Sequence, residues 1–187
     1  MKSETSPRCA EGATQEEAIM PNNTPDTTIV VTDAAGEPVG GPAAAALVLF
    51  RFSDAVDQRR PEAVAELFTE AALFRPGKAE HRGRAAIEAF YRGRLSDPRR
   101  TTRHLWANVE VRPVSDTEAR IKAVLTNYAF EPEVSETDLQ MRVGNVEGRC
   151  VAGPDGRWRF AEHLYERIFA VSLPLGAAAA STQGPKP

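Results

Sequence analysis

An imidazole and a carboxylate that can meet form simple apparatus for moving a proton at neutral pH. Histidine titrates near neutrality, and a neighbouring carboxylate fixes its tautomer and stabilises its charged form. In Thr102-Arg103-His104-Leu105-Trp106-Ala107-Asn108, alternation places His104 in one column with Trp106 and Asn108, opposite Leu105, Ala107 and Val109. If the apolar column is core, His104 and Trp106 face a cavity or a subunit interface. A lone strand histidine is more often structural than catalytic, so His104 needs a partner. Asp57 is a candidate: it follows Phe50 by seven residues and Ser53 by four, which sets it on the border of a helix's apolar stripe. A negative charge at that helix's C-terminal end opposes the helix dipole. Asp57 is therefore either an ordinary exposed carboxylate or one placed there for a use.

Two further columns read as walls of a pocket. Ala119, Ile121, Ala123, Leu125, Asn127 and Ala129 form one that is apolar except for the asparagine. Leu139, Met141, Val143, Asn145, Glu147 and Arg149 form another that turns from apolar to polar halfway along. On that reading Asn127 and Asn145 contact a ligand, and Glu147, its pKa raised by burial, is a second proton carrier. The alternative is that Asn145, Glu147 and Arg149 leave the core for solvent near a strand end. Glu162 and His163 are adjacent and face opposite ways, so they cannot both line one hollow; His163 is a reserve candidate.

These residues require two kinds of element. From Pro42 to Leu95 the apolar residues recur at helical spacing: Leu49, Phe52 and Val56; Val64, Leu67 and Phe68; Ile87, Phe90 and Tyr91. Ala72 to Arg75 could be a short strand. From Thr101 the period falls to two, in runs Thr102 to Arg112, Glu118 to Phe130, Leu139 to Val151 and Arg157 to Val171, with a turn at Gly153-Pro154-Asp155-Gly156. Three N-terminal helices under a strongly bent antiparallel sheet make an α+β layout with a conical hollow between the layers. The expected domain covers residues 42–172, between a disordered leader, 1–41, and a disordered tail, 173–187, both poor in large apolar side chains.

The chain has 187 residues, 42% hydrophobic and 26% charged, with a formal charge of −3, the balance of one soluble domain with no basic excess for nucleic acid or an anionic membrane. The basic stretch Arg75 to His104 lacks the interleaved aromatics that base stacking needs and reads as a solvated face. No window is long enough for a membrane-spanning helix and no secretory signal is evident; Cys9 and Cys150 suggest no disulfide framework, so a cytoplasmic setting is expected. The scattered histidines give no metal-ligand spacing, and no phosphate loop, dinucleotide fingerprint or serine elbow occurs. Neither a metal nor a cofactor is expected.

Asp57 to Phe68, Phe74-Arg75, Gly83-Arg84-Ala85-Ala86-Ile87, Thr102-Arg103-His104-Leu105 and Gly156 to Ala161 together resemble the SnoaL-like branch of the nuclear-transport-factor-2-like superfamily, over about Ala43 to Ala170. The resemblance implies a cone-shaped α+β barrel, usually dimeric, with a cavity between sheet and helices. At Asp57 and His104 the chain is also similar to the related scytalone dehydratases, in which the carboxylate orients the imidazole. The dehydratase's second histidine falls on Asn127, its pocket asparagine on Glu147, and its two water-holding tyrosines on Val56 and Phe74. Those departures argue against scytalone dehydration itself, although Tyr91 could supply a phenol that Phe74 cannot.

The expected function is cofactor-independent cyclisation, isomerisation or dehydration of an apolar oxygenated small molecule, and the resemblance implies that this belongs to secondary-metabolite biosynthesis, polyketides included. His104, Asp57 and Glu147 would carry protons, and Asn127, Trp106, Tyr91, Phe74 and Asn145 would hold the substrate. The alternative is a non-catalytic module of the same fold that binds a small molecule or supports a partner subunit. Either is expected to be a homodimer.

Overall fold

The computed structural model describes residues 40–175. The leader and tail assigned from sequence lie outside the described residues, apart from their inner ends, Gly40–Gly41 and Leu173–Leu175. A 3-10 turn, Gly41–Ala45, runs into helix α1, Ala46–Asp57, which buries Val48, Leu49, Phe52, Ala55 and Val56. The helix closes with Arg59 in the left-handed region at φ 60°. The Arg60 N–H donates to the Ala55 carbonyl at 2.8 Å and the Arg59 N–H to Val56 at 3.0 Å, the pair of bonds that usually ends a helix on glycine. Arginine is held there by its own side chain, which donates to the carbonyls of Arg100, at 2.7 Å, and Leu95. That clamp fixes the end of α1 against the start of the third strand.

Helix α2, Pro61–Glu66, is shorter than the spacing of Val64, Leu67 and Phe68 predicts. The Leu67 carbonyl accepts from Phe160 N–H at 2.8 Å, and Phe68 starts strand β1, Phe68–Arg75. Sheet pairing overrides the local helical pattern. A two-residue strand β2, His81–Arg82, and helix α3, Arg84–Arg94, follow. The long strands are β3, Thr101–Ser115; β4, Glu118–Phe130; β5, Asp138–Ala152; and β6, Trp158–Pro174.

The α+β class and the curled sheet over three helices are as expected, with one correction. The order is β2-β1-β6-β5-β4-β3, and β1 runs parallel to β6, so the sheet is mixed where an antiparallel one was expected. Register breaks at Ala107/Glu110 in β3, where Asn108 has φ 50°, and at Val143/Gly144 and Arg149/Cys150 in β5. Each adds local twist and curls the sheet toward the helices without closing it. Gly144 lies where a Cβ would strike the Glu166 carbonyl and the Tyr165 ring, so only glycine lets β6 cross so closely.

Candidate active site

Helix α1 and strand β3 lie side by side with matched repeats. Ser53 and Asp57 are separated by about 6 Å of helical rise, and Trp106 and His104, alternate residues of a strand, by about 6.6 Å. The two side chains of each element therefore meet in pairs: Trp106 Nε1 donates to Ser53 Oγ, and His104 meets Asp57. His104 Nδ1 is 2.6 Å from Asp57 Oδ1, the His104 backbone N–H donates to Oδ2 at 3.0 Å, and the Thr102 hydroxyl donates to Oδ1 at 2.7 Å. These contacts compensate for the unfavourable placing of a carboxylate at a helix C-terminus. Burial works to raise the Asp57 pKa, but the hydrogen bonds and charge of His104 and the Thr102 hydroxyl hold it below its ordinary value.

The remaining imidazole nitrogen, Nε2, is 3.1 Å from Asn127 Nδ2. With Nδ1–H given to Asp57, Nε2 carries the lone pair and accepts from the amide; a turned amide would present its oxygen to an imidazolium. His104 and Asn127 line a cavity of about 1290 Å³ between sheet and helices, whose inner wall includes Phe52, Phe74, Tyr91 and Leu125. Asp57, His104, Asn127, Tyr91 and Phe74, all expected from sequence, are thus brought to one place. Burial raises the Tyr91 pKa, which keeps it a neutral phenol.

The reserve candidate His163 belongs to the same wall. It is 2% exposed, with ring centroids 5.0 Å from both Phe52 and Phe160 and 5.4 Å from Phe74. Neither ring nitrogen has a hydrogen-bond partner among the described residues, and burial pushes its pKa down to about 4. A neutral, unpartnered imidazole in an aromatic box costs stability. Between pH 6.5 and 4 the unfolded chain binds a proton here that the folded chain does not, so stability falls as pH falls, by about 3 kcal/mol in all. His163→Phe removes that term: urea unfolding is expected to show the variant gaining about 2–3 kcal/mol on wild type between pH 7 and pH 4.5. Parallel pH curves for the two proteins would contradict the assignment.

Three expected site residues stand elsewhere. Asn145 and Glu147 are exposed on the outer face of β5, where Glu147 takes Lys122 Nζ at 2.8 Å. That hydrogen bond and the lysine charge lower the Glu147 pKa, the opposite of the raised value expected of a buried donor. Glu147 is therefore corrected from proton carrier to surface ion pair. The column was assigned to the wrong face because its apolar end, Leu139, Met141 and Val143, pairs with Leu173, Val171 and Phe169 in an outer apolar patch. The inward column is Arg142, Gly144, Val146, Gly148 and Cys150, whose glycines hide its character. Trp106 is on the inner face but is spent on Ser53 and does not line the cavity.

Sequence reasoning missed the arginine end of the cavity. Glu131, 2% exposed just after β4, accepts from Arg94 at 2.9 Å, from Arg100 and from Arg142; Arg100 also reaches Glu133. Burial works to raise the Glu131 pKa, but the three guanidiniums bring it below its ordinary value. Arginines dispersed over three elements leave no local motif. Among the described residues no group of His, Cys, Asp and Glu converges as a metal site, and no helix is long and apolar enough to cross a membrane.

A curled α+β sheet over three helices, with His104 in the wall of the cavity between them and Asp57 behind it, defines a cone fold. The SnoaL-like domain model matches residues 25–163, and the chain belongs to that family. No curated protein matches it significantly. Among solved structures it is similar to a candidate scytalone dehydratase of Novosphingobium aromaticivorans, at 24% identity and TM-score 0.63 over 71% of this chain and 91% of that one. A candidate aromatic ring hydroxylase from the same organism aligns at 18% identity and TM-score 0.60, over 69% and 90%. ActVI-ORFA of Streptomyces coelicolor aligns at 20% and 0.57, over 67% and 96%. At these identities the likeness is one of fold.

Proposed function

We propose that the protein is a cofactor-independent acid/base enzyme, a cyclase, isomerase or dehydratase, acting on an apolar oxygenated small molecule. The observation that carries this reading is His104, backed by Asp57, in the wall of a cavity with an aromatic interior. His104 Nε2 takes a proton from an acidic C–H or O–H of the substrate, and Asp57 stabilises the imidazolium that forms. The same proton is returned to another atom of the substrate or to a departing hydroxyl. Neutral His163 and Tyr91 offer hydrogen bonds to the oxygen on which negative charge develops, and Phe52, Phe74 and Leu125 hold the apolar body.

Exchange of the α-hydrogens of 2-tetralone in D2O tests the reading without the natural substrate. The full chain is expected to accelerate exchange over buffer, and a chain that leaves the buffer rate unchanged contradicts it.

The enzyme is proposed to work as a homodimer. Leu105, Ile168, Phe169 and Val171 are all at least 40% exposed, and the sheet register puts Leu105, Thr126, Val143 and Phe169 in one row across the outer face, apolar but for the threonine. An apolar row of this kind marks an interface. Light scattering is expected to give twice the chain mass of 20.3 kDa; a monomer at micromolar concentration would overturn this.

A further inference from the structure

One row of inward residues crosses the sheet from the imidazole to the arginine cluster. His104 on β3 is paired with Asn127 on β4, and Asn127 with Arg142 on β5. With strands about 4.8 Å apart, the backbones of His104 and Arg142 are roughly 10 Å from each other. All three side chains line the cavity. At the arginine end, Arg94, Arg100 and Arg142 face only Glu131 and Glu133, so three guanidiniums meet two carboxylates and one positive charge is left over. The cavity wall as a whole repeats the imbalance, with Lys78 and Arg167 set against Glu166, while Arg75 is paired with Glu80.

The pairing within the cluster is also incomplete. Arg142 gives Nη2 to Glu131, but its Nη1 is buried with no hydrogen-bond partner among the described residues. Leaving a cationic N–H without an acceptor costs more than leaving a neutral one, and such groups persist where a bound molecule supplies the acceptor. Glu131 does not fill that role, since its Oε2 meets Arg142 through Nη2 and Nη1 lies out of its reach.

We propose that this end of the cavity is a carboxylate subsite, and that the substrate is an apolar, oxygenated carboxylic acid. Its carboxylate accepts from Arg142 Nη1, and its reacting centre, several bonds away, lies at His104 Nε2 across Asn127. The inference rests on the proposed use of the cavity as the substrate site. A single uncompensated charge suits a monoanion; a phosphate dianion brings a second charge that the cluster does not match.

Calorimetry on the full chain at constant ionic strength tests this with three probes: 2-naphthylacetate, 2-naphthylacetamide and 2-naphthyl phosphate. The acid is expected to bind at least about 10-fold tighter than the amide, and tighter than the phosphate. In Arg142→Gln the preference for the acid over the amide is expected to fall to about equality. The wild-type comparison decides the matter by itself if that variant does not fold. Equal affinity for acid and amide, or no binding of the acid, overturns the proposal, and tighter binding of the phosphate replaces carboxylate with phosphate recognition. Failure here with normal 2-tetralone exchange would remove the subsite alone. An intact acid preference in a chain whose exchange matches buffer would remove the acid/base reading alone.

Discussion

Asp57→Asn is expected to lower the rate of 2-tetralone exchange by about 10²- to 10⁴-fold in a chain that still folds, and His104→Ala by a similar factor. Asparagine keeps its oxygen in the place of Oδ2 for the His104 backbone N–H, and its amide nitrogen in the place of Oδ1 donates to the Thr102 hydroxyl oxygen, so the α1–β3 contact survives in outline. What changes is the group facing Nδ1: an amide N–H there forces the imidazole proton onto Nε2, and the lone pair turns away from the cavity. The charge that stabilises the imidazolium is lost as well. Far-UV circular dichroism checks the fold, and an unchanged exchange rate in either variant would refute the roles assigned to the pair. Because the Asp57 pKa is depressed by its partners, its contribution to stability is complete above the ordinary carboxylate value of 3.8 and is lost as pH falls through the lower folded value. Asp57→Asn lacks that acid-limb dependence.

Glu131→Gln is expected to destabilise the chain by about 3–5 kcal/mol. Glu131 and Arg100 are each 2% exposed, and the carboxylate alone ties α3, the start of β3 and β5 together through Arg94, Arg100 and Arg142. Removing its charge leaves three guanidiniums in mutual repulsion with a single remaining carboxylate, Glu133, on Arg100. The Glu131 pKa is also held below its ordinary value of 4.5, so wild type loses this support only as pH falls below 4.5. Guanidinium chloride unfolding at pH 7 measures the loss, and a variant within about 1 kcal/mol of wild type would show the cluster to be dispensable.

Architecture was legible in the sequence because alternation and helical spacing are local signals. The long strands, the turn at Gly153–Gly156 and the faces of α1 and α3 all follow from them. The Asp57–His104 contact was legible for a related reason: a polar residue on the edge of an apolar stripe and another in a strand column each stand out against their surroundings. Asn127 stood out in the same way. Glu147 and Asn145 were misplaced because β5 carries apolar residues on both faces, one turned to the cavity and one to the outer patch, and two glycines thin the inward column. His163 reads only as a reserve candidate in the sequence because the irregularity at Arg149/Cys150 shifts the parity of β6, so that Phe160 and His163 share a face although they stand three positions apart. No single-strand pattern contains that bulge. The guanidinium cluster on Glu131 depends on where α3, β3 and β5 converge, which is a property of the fold and not of any segment.

Nitrogen-15 NMR of the histidine rings in the full chain tests the central claim most directly. At pH 8 His104 is expected to carry its proton on Nδ1, strongly deshielded by the Asp57 carboxylate, with Nε2 bare; in Asp57→Asn that deshielded proton is expected to disappear. A His104 ring protonated on Nε2 in wild type, or one unaffected by Asp57→Asn, would contradict it.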